Sequence, residues 1–133
     1  MKKVLLDTNA YSNLLRGDEK IFVAISRADT VYISSIVIGE LLTGFKSGKK
    51  ESDNKELLQK FIKRPTVRVV DVTIETAEIF AQIKFDLKIA GTPIPVNDVW
   101  IASHTIETGS TIITYDDHFS KVKGLRVWDH AHV

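Results

Sequence analysis

Short apolar runs alternate with stretches of helical periodicity along this chain. The runs have the length of strands and cover residues 4–6, 31–33, 67–72, 111–114 and 125–127. Between them apolar side chains recur every three or four positions, which predicts amphipathic helices. Strands that alternate with helices are typical of βαβ units, so the pattern predicts an α/β fold with a parallel sheet covered on both faces.

Capping residues, glycine and proline mark several ends of the predicted helices. The helices cover residues 11–15, 18–27, 34–45, 51–63, 73–90 and, beginning at Val96 or Asn97, a segment to 107, with a helical turn at 117–121. Asp18, Ser34 or Ser35, and Thr73 suit helix N-termini, and Gly91 suits the position just past a C-terminus. The 133 residues contain no repeat and no linker, so we expect one domain over residues 1–133.

The composition is that of an ordinary globular protein, with 44% hydrophobic and 26% charged residues. No apolar run approaches the ~20 residues of a membrane-spanning helix, so we expect no membrane association. The basic start of the chain is interrupted at Asp7, too early for a secretory signal. Without cysteines the chain has no disulfides and no thiolate metal site, which fits a cytoplasmic protein.

Charge is distributed unevenly, although the net charge is only +1. Residues 45–64 contain seven basic and three acidic side chains, a local charge of +4. A basic surface beside an acidic centre would suit a nucleic-acid substrate. The charge run alone favours the simpler interpretation of a solvated helix face.

Two of the predicted strands end on an aspartate. Asp7 follows residues 4–6, and Asp116 follows residues 111–114. Ligands of open α/β sheets bind beyond the carboxyl ends of the strands, so neighbouring strands would bring both carboxylates into one cleft. Asp7 could instead simply cap the next helix. We expect Asp117 to point elsewhere, as a helix N-cap or a surface charge.

Two more acidic residues lie on predicted helices among apolar neighbours. Glu40 lies within residues 36–42, and because a buried carboxylate needs a partner, a functional site is favoured over a solvated helix rim. Gly39 costs roughly 1 kcal/mol against alanine in a helix, and we expect it to let another backbone approach. Asp98 shares a face with apolar residues three and four positions on, or else only complements the helix dipole. Asn97 is then available to cap that helix.

Four carboxylates in one place require either raised pKa values or a cation. Two like charges ~4 Å apart repel by about 4 kcal/mol at an effective dielectric constant near 20. The pattern contains no histidine or cysteine, and an oxygen-only site favours Mg²⁺, with Mn²⁺ as a substitute, over zinc. We expect His104 on a helix surface or in packing, and His118 at most at the rim of the site. Trp100 and Trp128 are expected in the core.

The acidic residues stand in four blocks that follow one another along nearly the whole chain. The blocks are Leu6–Asn9, Ser34–Ser35 with Glu40, Leu41 and Gly44, Asn97–Ala102, and Thr114–Phe119. Together they resemble the PIN-domain ribonucleases, and the size of the chain is similar to that of the VapC toxins of type II toxin–antitoxin pairs. No acidic position departs from the family pattern.

The resemblance implies a three-layer α/β/α fold with a five-stranded parallel sheet in the order 3-2-1-4-5. It implies a Mg²⁺-dependent endoribonuclease that hydrolyses RNA phosphodiesters and is the toxin of a toxin–antitoxin pair. It also implies a homodimer, and inhibition by a small VapB-like antitoxin whose C-terminal segment lies over the active-site groove.

The resemblance further assigns roles to particular side chains. The implied catalytic residues are Asp7, Glu40, Asp98 and Asp116. The three aspartates would bind the metal ion, while the glutamate would orient or deprotonate the attacking water or help to hold a second ion. The residues implied to orient these carboxylates are Thr8, Asn9 and Thr114.

Other functions could use the same fold. One is an RNA-processing nuclease outside a toxin–antitoxin pair, and another is a non-catalytic module that binds RNA or protein, against which the intact acidic set argues. A phosphatase with a nucleophilic aspartate would require a second aspartate two positions after Asp7, where Asn9 stands. A receiver domain would require an acidic pair beside its first strand, and the sequence has none there.

Overall fold

Five parallel strands form a single sheet in the computed structural model, which describes residues 2–132. The strands are β1 (Lys3–Leu6), β2 (Thr30–Ser34), β3 (Val67–Val70), β4 (Thr111–Ile113) and β5 (Arg126–Val127). Their order is β3-β2-β1-β4-β5, and every pairing is parallel. The predicted sheet order is therefore confirmed.

Helices connect successive strands, as the alternating pattern predicts. They are α1 (Thr8–Leu15), α2 (Glu19–Ser26), α3 (Ser35–Ser47), α4 (Glu51–Ile62), α5 (Ile74–Ala90) and α6 (Val96–Thr108). Two short 3₁₀ helices cover Asp117–Lys121 and His130–His132. None of the helices within residues 2–132 is both long and apolar enough to cross a membrane.

The predicted caps mostly hold the helix ends. Asp18 accepts a hydrogen bond from the backbone of α2, Ser34 does the same for α3, and Thr73 forms a reciprocal capping box with Thr76. Gly91, the predicted residue at the C-terminus of α5, has a left-handed backbone conformation with φ 70°, which favours glycine. Three predicted boundaries are wrong by two residues or more: α1 begins three residues earlier, because Asp7 caps it, α3 ends two residues later, at Ser47, and β3 ends two residues earlier, at Val70.

The central strand β1 is buried on both faces. Val4, Leu5 and Leu6 are all fully inaccessible. Because successive side chains of a strand point to opposite faces, this burial shows that helices cover both sides of the sheet. The expected core position of Trp128 is confirmed, whereas Trp100 is only partly buried and stacks on Phe80 at a ring-centroid distance of 3.9 Å.

A buried polar pair holds α3 against α6. The imidazole Nδ1 of His104 lies 2.8 Å from Ser34 Oγ, and His104 is fully buried, which makes it a packing residue. Ser34 Oγ accepts from the backbone N–H of Ile36, so its own hydrogen is available to the imidazole. Burial lowers the pKa of His104, which favours the neutral ring. The pair thereby fixes the relative position of the helices that carry Glu40 and Asp98.

Candidate active site

Asp7 lies at the carboxyl end of β1 and is only 4% exposed. Its Oδ1 accepts a hydrogen bond from the backbone N–H of Ala10 at 2.7 Å, so Asp7 is the N-cap of α1. Its Oδ2 accepts from the hydroxyl of Thr114 at 2.5 Å, at the end of the neighbouring strand β4. The two oxygens have separate partners, so Asp7 caps the helix and also faces the end of β4.

The surroundings of Asp7 disfavour its charged form. Burial raises the pKa of Asp7 from 3.8 to about 6, against the opposing hydrogen bonds from Thr114 and Ala10. The negative charges of Asp116 and Asp98 act in the same direction as burial. Asp7 therefore lies within electrostatic reach of two of the other predicted acidic residues.

Asp98, Asp116 and His118 form a compact group of possible metal ligands. One donor atom from each lies within 4.8 Å of the other two. His118 Nδ1 is 3.2 Å from Asp98 Oδ2 and 3.3 Å from Asp116 Oδ1. Burial raises the pKa of Asp98; the His118 hydrogen bond and charge oppose this rise, and the charges of Asp116 and Glu40 add to it.

The 3₁₀ helix after β4 positions Asp116 and His118. Asp116 is its N-cap, and Asp116 Oδ1 accepts from the backbone N–H of His118 at 2.9 Å. Asp117, which follows the cap, is exposed, so the surface-charge alternative for that residue is correct and the capping alternative is wrong. His118 lies inside the acidic group rather than at its rim, and the only signal for this in the sequence is its position two residues after Asp116.

Glu40 is oriented by hydrogen bonds from two helices. Its Oε1 accepts from the hydroxyl of Thr8 on α1 at 2.5 Å, and its Oε2 accepts from the side-chain amide of Asn97 on α6 at 3.3 Å. The expectation that Asn97 caps α6 is wrong, because Pro95 occupies that position without a side-chain bond. Glu40 and Asp7 stand outside the compact Asp98 group and connect to it through charge interactions.

Of the three residues expected to orient the carboxylates, Thr8 and Thr114 donate hydrogen bonds to them and Asn9 does not. Thr8 donates to Glu40, and Thr114 donates to Asp7. Thr114 Oγ1 also accepts from the backbone N–H of Asp116, so one hydroxyl connects two of the aspartates. Asn9 is exposed, and within residues 2–132 its side chain makes no hydrogen bond to these carboxylates.

The donor set fits a divalent cation. Two carboxylates and one imidazole are a mixed oxygen and nitrogen set, and such sets bind first-row divalent metals as well as the harder ions. Besides the carboxylates predicted from the sequence, the imidazole of His118 places a nitrogen within the same 4.8 Å group. Burial is the main cause of the raised pKa values of Asp7 and Asp98, and the neighbouring negative charges add to it; a bound cation would favour the charged form of both carboxylates.

A polar groove of about 440 Å³ leads away from Glu40 between α1 and α3. Thr8, Ser12 and Arg16, which are one helical turn apart, line it from α1. Gly44 lines it from α3, one turn beyond Glu40. The groove therefore begins at the Thr8–Glu40 hydrogen bond and ends near an exposed guanidinium group.

Gly39 and Gly44, both inside α3, differ in where an added side chain would project. A Cβ atom at Gly39 or Gly44 would meet no atom within 4 Å. The expectation that Gly39 lets another backbone approach is therefore wrong, since no segment within residues 2–132 packs against it. Gly44 also leaves open space, but that space belongs to the groove. A side chain at Gly44 would project into the groove, whereas one at Gly39 would project into solvent.

The pKa of Asp7 makes the stability of the metal-free protein depend on pH. Between pH 3.8 and about 6 the folded chain binds a proton at Asp7 that the unfolded chain has lost, so the free energy of unfolding rises as pH falls through this window. The gain by pH 4 is about 2 to 3 kcal/mol relative to pH 7.5, at about 1.4 kcal/mol per pKa unit. Thermal unfolding in a chelator at several pH values measures it. Asp7→Asn removes this contribution, and an unchanged pH dependence in that variant would contradict the assignment.

A sequence profile of the PIN domain matches residues 4–125, so the chain belongs to the PIN-domain family of nucleases. It is 30% identical over 108 residues to Ribonuclease VapC2 of Rickettsia felis, covering 79% of both chains. It is 29% identical over 135 residues to the tRNA(fMet)-specific endonuclease VapC of Salmonella typhimurium, covering 97% and 98% of the two chains. The resemblance predicted from the acidic blocks is confirmed.

Solved structures of related proteins share this fold. The DNA-bound VapBC complex of Salmonella typhimurium contains a chain with a TM-score of 0.82 and 28% identity, covering 98% of this chain and 99% of that one. FitAcB of Neisseria gonorrhoeae gives a TM-score of 0.78 and 26% identity, with the same coverage.

Proposed function

We propose that this protein is a metal-dependent endoribonuclease and the toxin of a VapBC-type toxin–antitoxin pair. The observation that carries the proposal is the group of Asp98, Asp116 and His118, whose donor atoms lie within 4.8 Å of one another beside Asp7 and Glu40. The names of the related proteins, ribonuclease and tRNA-specific endonuclease, support an RNA substrate.

In this mechanism Asp98 and Asp116 would hold the cation directly. Asp7, which accepts a hydrogen bond from Thr114, would add a further negative charge beside them. When bound, a divalent cation such as Mg²⁺ or Mn²⁺ acidifies water and neutralises charge that develops on the phosphate oxygens. Without a cation these carboxylates would repel an RNA phosphate, so tight binding of the scissile phosphate would require the cation.

Glu40 is the group that accepts the proton of the attacking water. The hydroxyl of Thr8 and the amide of Asn97 each hold one of its oxygens, which fixes the plane of the carboxylate. A base held in this way contributes about 10²- to 10⁴-fold to a hydrolysis rate. In-line attack of water on the phosphorus would break the bond to the 3′-oxygen, which takes up a proton from solvent, leaving a 5′-phosphate on one fragment and a 3′-hydroxyl on the other.

The partners follow from the same relatives and from the surface. VapBC complexes among the related structures support a small antitoxin as the inhibitor of this chain. On α5, Ile74, Phe85 and Ile89 are 77%, 59% and 71% exposed, an apolar surface that supports a homodimer. An RNA substrate and a chain without cysteines support a cytoplasmic location.

The ends of the cleaved RNA test the proposed function. Purified protein is incubated with RNA and Mg²⁺ or Mn²⁺, and the fragments are analysed for their termini. We expect 5′-phosphate and 3′-hydroxyl ends, because water is the nucleophile, and no cleavage in the presence of EDTA. Fragments that carry a 2′,3′-cyclic phosphate would instead show attack by the RNA's own 2′-hydroxyl and would contradict the mechanism.

A further inference from the structure

We propose that His118 is a nitrogen ligand of the catalytic cation, and that the site consequently prefers Mn²⁺ to Mg²⁺. The inference rests on the proposed function only in assuming that the acidic group holds a divalent ion. It concerns a side chain to which the acidic pattern of the sequence assigns no role.

The spacing of the donor atoms is that of ligands around one ion. His118 Nδ1 is 3.2 Å from Asp98 Oδ2 and 3.3 Å from Asp116 Oδ1. Neighbouring ligand atoms of an octahedral ion with bonds of about 2.1 Å are about 3 Å apart. The imidazole nitrogen therefore stands at nearly the distance from both carboxylates that a shared ion requires.

A hydrogen bond explains this arrangement less well. The Nδ1 atom carries at most one proton, so it can donate one linear hydrogen bond, and charge-assisted bonds to a carboxylate are typically about 2.7–2.9 Å long. The two observed distances are both longer than this and differ by only 0.1 Å. The hydrogen bond between Nδ1 and Asp98 Oδ2 leaves the contact with Asp116 Oδ1 without a proton of its own, whereas an ion shared by the three atoms would satisfy both contacts.

Packing does not account for the position of the ring either. The side chain of His118 is 43% exposed, whereas those of Asp98 and Asp116 are 18% and 31% exposed. The backbone N–H of His118 donates to Asp116 Oδ1, which fixes the ring next to this carboxylate through the 3₁₀ helix. An exposed ring that local backbone structure directs at two acidic residues is consistent with a ligand.

A nitrogen ligand changes which ion is bound best. Mg²⁺ prefers oxygen ligands, whereas imidazole suits first-row transition metals; Mn²⁺ shares the preference of Mg²⁺ for carboxylates but belongs to that transition series. Two carboxylates and one imidazole therefore favour Mn²⁺ over Mg²⁺ more than the oxygen-only set predicted from the sequence. The same ligands hold either ion, so Mg²⁺ can still support the reaction at higher concentration.

Binding of Mn²⁺ to the full-length protein without RNA tests this inference. Free Mn²⁺ is measured by electron paramagnetic resonance, and coupling of the bound ion to ¹⁴N is measured by electron spin-echo modulation. We expect a ¹⁴N signal in the unmodified protein. In His118→Gln the signal is lost and Mn²⁺ binds about 10- to 100-fold more weakly, while Mg²⁺ affinity, measured by competition, changes less.

His130→Gln is the matched control, because it removes a second exposed imidazole that contacts the rings of Tyr115 and Trp128 and lies outside the acidic group. This control should keep both the ¹⁴N signal and the Mn²⁺ affinity. Unchanged affinity and signal in His118→Gln, or an unmodified protein whose bound Mn²⁺ shows no ¹⁴N coupling, would overturn the inference. RNA cleavage by the unmodified protein is measured in parallel, so failure of the proposed function is seen separately.

Discussion

Asp7→Asn should reduce RNA cleavage by about 10³-fold or more while leaving the fold intact. Neutralising a carboxylate of the metal site removes several kcal/mol of charge stabilisation, and each 1.4 kcal/mol is about tenfold in rate. The fold is kept because asparagine caps helices as well as aspartate does. Its Oδ1 can still accept from Ala10 N, and its amide can donate to the hydroxyl of Thr114 in place of the present bond.

The same substitution should raise the melting temperature of the metal-free protein at pH 7.5. The pKa of Asp7 is raised to about 6, which means that its charge destabilises the folded state at that pH. Single-turnover cleavage and thermal unfolding are measured on the same preparation. Asp117→Asn serves as the control, since it removes an exposed charge next to Asp116 and should affect neither quantity by much. Cleavage at the normal rate by Asp7→Asn would refute the site.

Gly44→Leu should weaken binding of uncleaved RNA about tenfold or more, whereas Gly39→Leu should not. A side chain at Gly44 enters the groove beyond Glu40 and excludes part of the RNA strand. Contacts of a single nucleotide are worth about 1–3 kcal/mol, and 1.4 kcal/mol is tenfold in affinity. Binding is measured by fluorescence anisotropy with Ca²⁺ in place of the catalytic ion.

Gly39→Leu is a matched control because both glycines are exposed interior residues of α3 with open space around them. Replacing either should raise the melting temperature, since glycine costs about 1 kcal/mol in an exposed helix interior. A gain in stability common to both variants, with loss of RNA affinity only in Gly44→Leu, would identify the groove as the path of the strand. Equal RNA affinity in the two variants would place the strand elsewhere.

The features of this fold that follow from local pattern could be predicted from the sequence. Residues 4–6 are apolar on both faces of a strand, which indicates the centre of a parallel sheet, and an aspartate stands at or shortly after the end of each of two such strands. Asp7 lies within electrostatic reach of Asp116 because β1 and β4 are neighbours. The strand order itself is what the family resemblance implies, because local periodicity does not say which strands are neighbours.

The features that depend on packing of distant helices could not be predicted. Asn97 donates to Glu40 from 57 positions away, so its role depends on how α6 lies against α3. In the sequence, Asn97 stands immediately before Asp98 at the start of a predicted helix, where asparagine commonly is the N-cap. His118 has no other histidine at helical spacing, which is the usual sequence signal of a histidine metal site; its ring instead lies against carboxylates of α6 and of the cap of the 3₁₀ helix.

The two hydrogen bonds of Asp7 connect the proposed metal site with the groove proposed for RNA. One oxygen of Asp7 fixes the first turn of α1, and Thr8, Ser12 and Arg16 on that helix form a wall of the groove. A cation that moved this carboxylate would therefore also move the first turn of α1. Binding of the ion and binding of RNA would then be thermodynamically linked. The factor by which the ion changes the affinity for RNA would equal the factor by which RNA changes the affinity for the ion.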